Sequence, residues 1–198
     1  TNQQFQLFID AGDGYFNERW WGYSTYALDW FRNVSKPKPS AFNGDDRPRE
    51  NVNWYEALAY CNWLSYRLNA RIILPTQYQW QRAAQGDKGN TYPWGNRFSP
   101  DYCNTRESRI RMTTIVTRYK RWASPFDVVD MSGNVWEWCL NGAISQGMDT
   151  RISTNSPRAV KGGSYLTSKQ RAEVSFTYEL EPEYYYATIG FRVACLNK

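Results

Sequence analysis

SPFDVVDMSGNVWEWC, residues 124–139, is the stretch on which the fold turns. Its centre is Gly133-Asn134, two residues that tolerate positive φ and suit a tight turn. Val135-Trp136 opens a short apolar run that reaches Cys139 and reads as a strand. Asp130 precedes the turn and Glu137 follows it, which lets their carboxylates face one another across it.

Around this centre the text stays short-ranged. Val128-Val129, Ala159-Val160 and Ile189–Ala194 are brief apolar pieces separated by Gly, Asn, Pro and Asp, and no long helical period occurs after residue 87. The first half differs. Thr1 with Gln4 caps a helix whose Phe5, Phe8 and Ile9 share a face, with Gly12 as its stop. Asn53 and Glu56 open VNWYEALAYCNWLSYRLN, where Ala57, Cys61, Leu64 and Leu68 recur at helical spacing. Thr76 with Gln79 caps a third helix through about Ala84, stopped by Gly86. Between the last two, Ile72-Ile73-Leu74 reads as a strand ended by Pro75. Residues 13–50 read as irregular, because KPKPSAFNGDDRP holds neither a helix nor a central strand. The class is α+β: two to three short helices, short strands and high loop content. Loops this extensive in a compact domain point to function or to bound ions.

Composition removes whole classes of chemistry. The 198 residues carry no His, so a Ser-His-Asp triad, a Cys-His dyad, a His-ligated zinc and a His base are excluded within the chain. The length fits one domain, residues 1–198, able to bury about 70% of its unfolded surface without disulfide staples. Cys61, Cys103, Cys139 and Cys195 form no CxxC pair and are expected as free thiols. No apolar run approaches membrane length and no leader is visible, and together with free thiols this favours a cytoplasmic setting. The net charge is +5. Arg106, Arg109, Arg111, Arg118, Lys120 and Arg121 form one basic stretch, read as solvated loop charge, so nucleic acid is not expected as a partner. Ten Trp, 15 Tyr and 9 Phe remain to be explained, as core or as a gripping surface.

Seven segments in fixed order carry a resemblance. They are VNWYEALAYCNWLS (52–65), LPTQYQWQRAAQG (74–86), YPWGN (92–96), Asn104, SPFDVVDMSGNVWEWC (124–139), VKGGSY (160–165) and IGFRVA (189–194). The chain resembles the formylglycine-generating-enzyme/sulfatase-modifying-factor family over nearly its whole length. The resemblance implies a C-type-lectin-like fold of the elaborated kind, with a small twisted antiparallel sheet. It also implies an N-terminal strand ahead of the first helix, which is expected to be missing from a sequence that opens on the Thr1 cap, and a place within a longer multidomain protein is expected.

The resemblance implies two calcium sites. One would use the Asp130 and Glu137 carboxylates with the Gly133 and Val135 carbonyls, an oxygen set of the kind Ca²⁺ takes. The other would use Asn104, the Thr105 carbonyl, Ser108 and the Ile110 carbonyl, with Ser108 standing where a carboxylate belongs. Trp94, Trp136 and Trp138 are expected to fill the interior. The family's enzymes oxidise a substrate cysteine and bind copper through a cysteine pair shortly after the GGS element. Soft thiolates suit Cu(I). Here Thr167 stands at the first of those positions and Ala172 at about the second, so copper binding and formylglycine-generating activity are not expected.

Some family members resembled here are variable proteins of diversity-generating retroelements, in which the segment between GGSW and IGFR is mutagenised. The corresponding segment, LTSKQRAEVSFTYELEPEYYYAT (166–188), is rich in Tyr, as antibody paratopes are. Leu166, Thr167, Ser168, Lys169, Tyr178, Glu179, Glu181, Tyr184, Tyr185, Tyr186 and Thr188 are therefore the candidate ligand-binding residues, with TRYKRW (117–122) as a neighbouring loop. The expected function is a non-catalytic domain displaying this surface to a protein or other macromolecular ligand. The alternative is an oxidoreductase of the family acting on a protein cysteine.

Overall fold

The structure, a computed structural model, describes residues 1–34, 36–142 and 149–196. Among the described residues four α-helices form: α1 (Asn2–Asp10), α2 (Thr25–Arg32), α3 (Trp54–Leu68) and α4 (Gln77–Gln85). The three anticipated helices begin where their side chains can satisfy the first free N–H groups. Thr1, Asn53 and Thr76 each close a reciprocal capping box with Gln4, Glu56 and Gln79. At its other end α3 stops at Asn69 in the left-handed region (φ 48).

Helix α2 was not expected, since residues 13–50 read as irregular. Ser24 makes no side-chain cap bond, so no local signal marks the start. Packing holds it instead: Ala27 is buried, and Trp21 stacks on Phe31 at 4.7 Å and on Trp30 at 5.7 Å.

The strands are β1 (Arg71–Ile73), β2 (Trp136–Gly142), β3 (Arg158–Lys161), β4 (Thr177–Leu180), β5 (Ile189–Phe191) and β6 (Ala194–Leu196). They make a two-stranded sheet, β1-β6, and a four-stranded sheet in the order β4-β3-β2-β5. All pairings are antiparallel except β2-β5, where Trp136 lies opposite Ile189 and Trp138 opposite Phe191. The apolar piece Ile189–Ala194 thus serves both sheets, β5 in one and β6 in the other. Val128-Val129 joins neither sheet.

The larger core is aromatic. Phe5, Phe8, Tyr15, Trp21, Trp54 and Tyr60 gather around α3, with Trp136 and Trp138 from β2. A smaller cluster joins Trp80, Ala84, Met131, Cys139, Ala159 and Val174. Trp94 is the exception among the tryptophans expected inside: it is half-buried, stacks flat on Tyr92 at 5.4 Å and donates Nε1–H to the Arg97 carbonyl. Among the described residues no helix is long and apolar enough to cross a membrane.

Candidate functional site

The turn at 130–134 forms as its residues predict, with positive φ at Asp130 (57), Gly133 (83) and Asn134 (65). Asn134 is the knot. Its amide nitrogen donates to Asp130 Oδ2 at 2.9 Å and to the Thr114 carbonyl at 3.2 Å. Its amide oxygen accepts from the Thr114 N–H at 2.9 Å and from Asn104 Nδ2 at 3.2 Å. Three loops are tied to one side chain.

The calcium sets can now be tested against geometry. In the 104–110 loop the Ser108 hydroxyl lies 3.1 Å from Asn104 Oδ1 and 2.7 Å from the Thr105 carbonyl, so a protein hydroxyl bridges two of the expected ligand oxygens. Those residues do not fit a cation. In the 130–137 turn the Arg192 guanidinium holds both Glu137 oxygens at 2.6 Å, and Trp80 Nε1 donates to one of them at 2.5 Å. Glu137 is therefore neutralised by a fork of the kind carboxylates bind best. Asp130 keeps one buried oxygen, Oδ1, without a partner. Burial pushes its carboxyl up to about 7, against the Asn134 hydrogen bond and Arg192. One open carboxylate oxygen beside an arginine is not the oxygen-rich shell that Ca²⁺ requires, so the expected set of Asp130, Gly133, Val135 and Glu137 does not fit either.

The positions matching the family's cysteine pair do meet in space. A side chain added at Gly163 (φ 73) would touch Thr167 Oγ1 at 2.9 Å and Ala172 Cα at 3.1 Å, so both positions flank one point of the GGS turn. The chemistry there is that of a hydroxyl and a methyl. Thr167 Oγ1 accepts from the Ser164 N–H at 2.7 Å and donates to the Ser164 carbonyl at 3.0 Å, and Ala172 is buried. Neither group binds Cu(I) as a thiolate would, so these residues do not fit copper. Elsewhere, Cys61, Cys103 and Cys139 are buried and Cys195 is exposed, all four free. Burial drives the Cys103 thiol up to about 12.

The candidate ligand-binding residues fall into two groups. Leu166 (53% exposed) and Thr167, Ser168 and Lys169 lie against the 92–107 loops: Arg106 N–H donates to the Thr167 carbonyl at 3.0 Å, and Lys169 N–H to Glu107 Oε1 at 3.1 Å. Tyr92 hydroxyl reaches the Lys169 carbonyl at 3.3 Å, and a chain of rings runs on from Tyr92 to Trp94, Tyr102 and Trp122, which brings the 117–122 loop onto the same side. The second group is Tyr184, Tyr185 and Tyr186. Their loop is pinned by Trp54 N–H to the Pro182 carbonyl (3.0 Å) and Asn51 N–H to the Tyr186 carbonyl (3.1 Å). Tyr178 and Glu179 lie on edge strand β4, with Tyr178 exposed and Arg171 over its ring at 5.8 Å. Glu181 accepts the Tyr184 N–H through its carbonyl at 3.1 Å, and Thr188 accepts the Trp136 N–H at 2.8 Å. Thr188 therefore anchors the segment to the sheet.

Two features escaped sequence reading. Trp30 on α2 meets Glu183 and Tyr184–Tyr186 around a recess of about 340 Å³, and Lys38 places its ammonium 3.9 Å from the Tyr185 ring centre. A second cavity of about 340 Å³ lies over Asp130, Glu137 and Arg192, walled by Phe5, Tyr60 and Phe191. No local pattern marks either, because each is assembled from segments distant in sequence.

The inactive C-alpha-formylglycine-generating enzyme 2 of Mus musculus is 30% identical over 162 residues, covering 74% of this chain and 48% of that protein. The formylglycine-generating enzyme of Bos taurus is 26% identical over 196 residues, 88% of this chain and 50% of that one. The chain thus spans about half the length of these relatives. Among solved structures, Treponema denticola variable protein 1 shares the fold at a TM-score of 0.70 and 22% identity, over 98% of this chain and 81% of that one. The sulfatase-modifying factor enzyme 1-like domain matches residues 1–196, and the chain belongs to that family.

Proposed function

We propose that this chain is a non-catalytic binding domain that presents the 166–188 surface to a protein or other macromolecular ligand. One observation carries the reading. The two positions that would hold a copper-binding thiol pair are brought together by the fold, yet they are Thr167 and Ala172, and Thr167 spends its hydroxyl on Ser164. The framework is kept and the reactive groups are gone. The surface beside it suits recognition: Leu166, Tyr178, Tyr184 and Tyr186 are exposed, on backbone held by hydrogen bonds to α3 and β2. Rigid aromatic area with a hydroxyl tip binds at low entropic cost. Similarity to a protein named inactive and to one named variable supports the same reading.

Photocrosslinking tests it. A photoreactive residue at 166, 184 or 186, placed one at a time, is expected to give a discrete adduct in extracts of the source cells, and the same residue at exposed Phe126 is not. Adducts that do not depend on position would remove the reading. So would turnover of a cysteine-containing peptide by the chain supplied with Cu(I) and oxygen, which would restore the oxidoreductase alternative suggested by similarity to formylglycine-generating enzymes.

A further inference from the structure

Charge is unevenly spread in this basic chain. From Ala172 to Phe191 there is no Lys or Arg, while Glu173, Glu179, Glu181 and Glu183 all fall in that stretch. The last of them opens onto the recess lined by Trp30, Tyr184, Tyr185 and Tyr186. Its Oε2 is buried and has no hydrogen-bond partner. With one oxygen shielded and no donor on it, the carboxylate charge is uncompensated inside the protein, and a cation approaching the carboxylate from the recess compensates it.

The walls of the recess are ring faces and edges. Tyr184 and Tyr186 stand at 79° to one another with centres 6.1 Å apart, and Trp30 closes the side toward α2. Aromatic faces carry negative potential, and several rings around one carboxylate attract a cation more than any neutral group. At this recess the interaction already occurs, with the Lys38 ammonium 3.9 Å from the Tyr185 ring centre. The recess needs little ordering on binding, because the Pro182 and Tyr186 carbonyls are fixed by Trp54 and Asn51 N–H groups.

We propose that this recess is a cation cage that takes a lysine or arginine side chain of the protein partner, its charged group meeting the Glu183 carboxylate between the rings. The proposal rests on the binding function above and names the chemistry of its partner. The recess is open and continuous with an exposed Tyr-bearing surface, which fits a side chain presented by a protein.

Fluorescence polarisation with labelled hexalysine, hexaarginine and hexaglutamate tests it. Hexalysine or hexaarginine is expected to bind saturably and hexaglutamate not to bind. Glu183→Gln and Tyr184→Ala should each weaken binding about tenfold with unchanged melting temperature, while exposed Asp101→Asn leaves it unaltered. Tetramethylammonium chloride should compete better than sodium chloride at equal ionic strength. Equal affinity in Glu183→Gln, or no binding of either cationic peptide, would overturn the cage. If crosslinked adducts at 184 and 186 persist undiminished in Glu183→Gln, the cage fails while the binding function stands. Absence of position-dependent adducts from the unsubstituted protein, with cationic-peptide binding that still depends on Glu183, would mean the reverse.

Discussion

Gly133 shows how much one residue decides. It sits at φ 83, and a Cβ there would be driven into the Asn104 carbonyl, which also accepts the Asn134 N–H at 2.8 Å. Gly133→Ala therefore combines left-handed backbone strain with a steric clash. The strain alone costs about 2 kcal/mol, and calorimetry should show Tm lower by roughly 4–8 °C for a chain of this size. An unchanged Tm would mean that the turn can move away from Asn104. This position was legible in sequence because the requirement is local: few residues besides Gly and Asn accept that backbone. The Glu137–Arg192 pair was not. The order of residues gives no hint that Arg192, from the far end of the chain, would occupy the carboxylate expected to hold a cation.

At the scale of elements, β3 carries an unusual load. Lys161 is fully buried, its ammonium bonded to Thr177 Oγ1 at 3.1 Å and Gln81 Oε1 at 3.4 Å. Burial lowers its pKa to about 8. The folded state thus prefers the neutral amine more than the unfolded state does. The resulting penalty is fully present below pH 8 and is relieved as pH rises from about 8 toward the unfolded value near 10.4. Lys161→Met should raise Tm at pH 7, by removing a burden of order 3 kcal/mol, and its advantage should shrink across pH 8–10. Melts at several pH values check this; an advantage constant with pH would mean that burial leaves the Lys161 pKa at its unfolded value. The helices divide by the same logic of local and distant causes. Three announce themselves through capping boxes confined to four residues each. Helix α2 has no such box and depends on Trp21 stacking against Trp30 and Phe31, so Thr25–Arg32 reads as loop.

For the whole molecule, the tying of loops without a metal makes a clear expectation. Asn134 joins the 104, 114 and 130 segments, Ser108 bridges oxygens in the 104–110 loop, and Arg192 neutralises Glu137. Millimolar Ca²⁺ should leave Tm within error, since a ligand bound only by the native state would raise it. A clear rise would show that Asp130 and Glu137 rearrange around the ion. The aromatics divide into two populations at this scale. Most tryptophans and the phenylalanines of α1 build the core, while Tyr178, Tyr184 and Tyr186 stay at the surface.

By itself the sequence determined the capped helices, the Gly133 turn and the strands at 136 and 159, because each rests on residues within a few positions of one another, and the order of seven short motifs carried the family and the missing thiol pair. Tertiary structure alone decided that α2 exists, that Arg192 takes Glu137, that β5 runs parallel to β2, and that Trp30 closes a recess with Glu183 and three tyrosines. Those outcomes depend on which surfaces exclude water together and which charges find partners in the interior. Such contacts join residues far apart along the chain, and no local spacing encodes them.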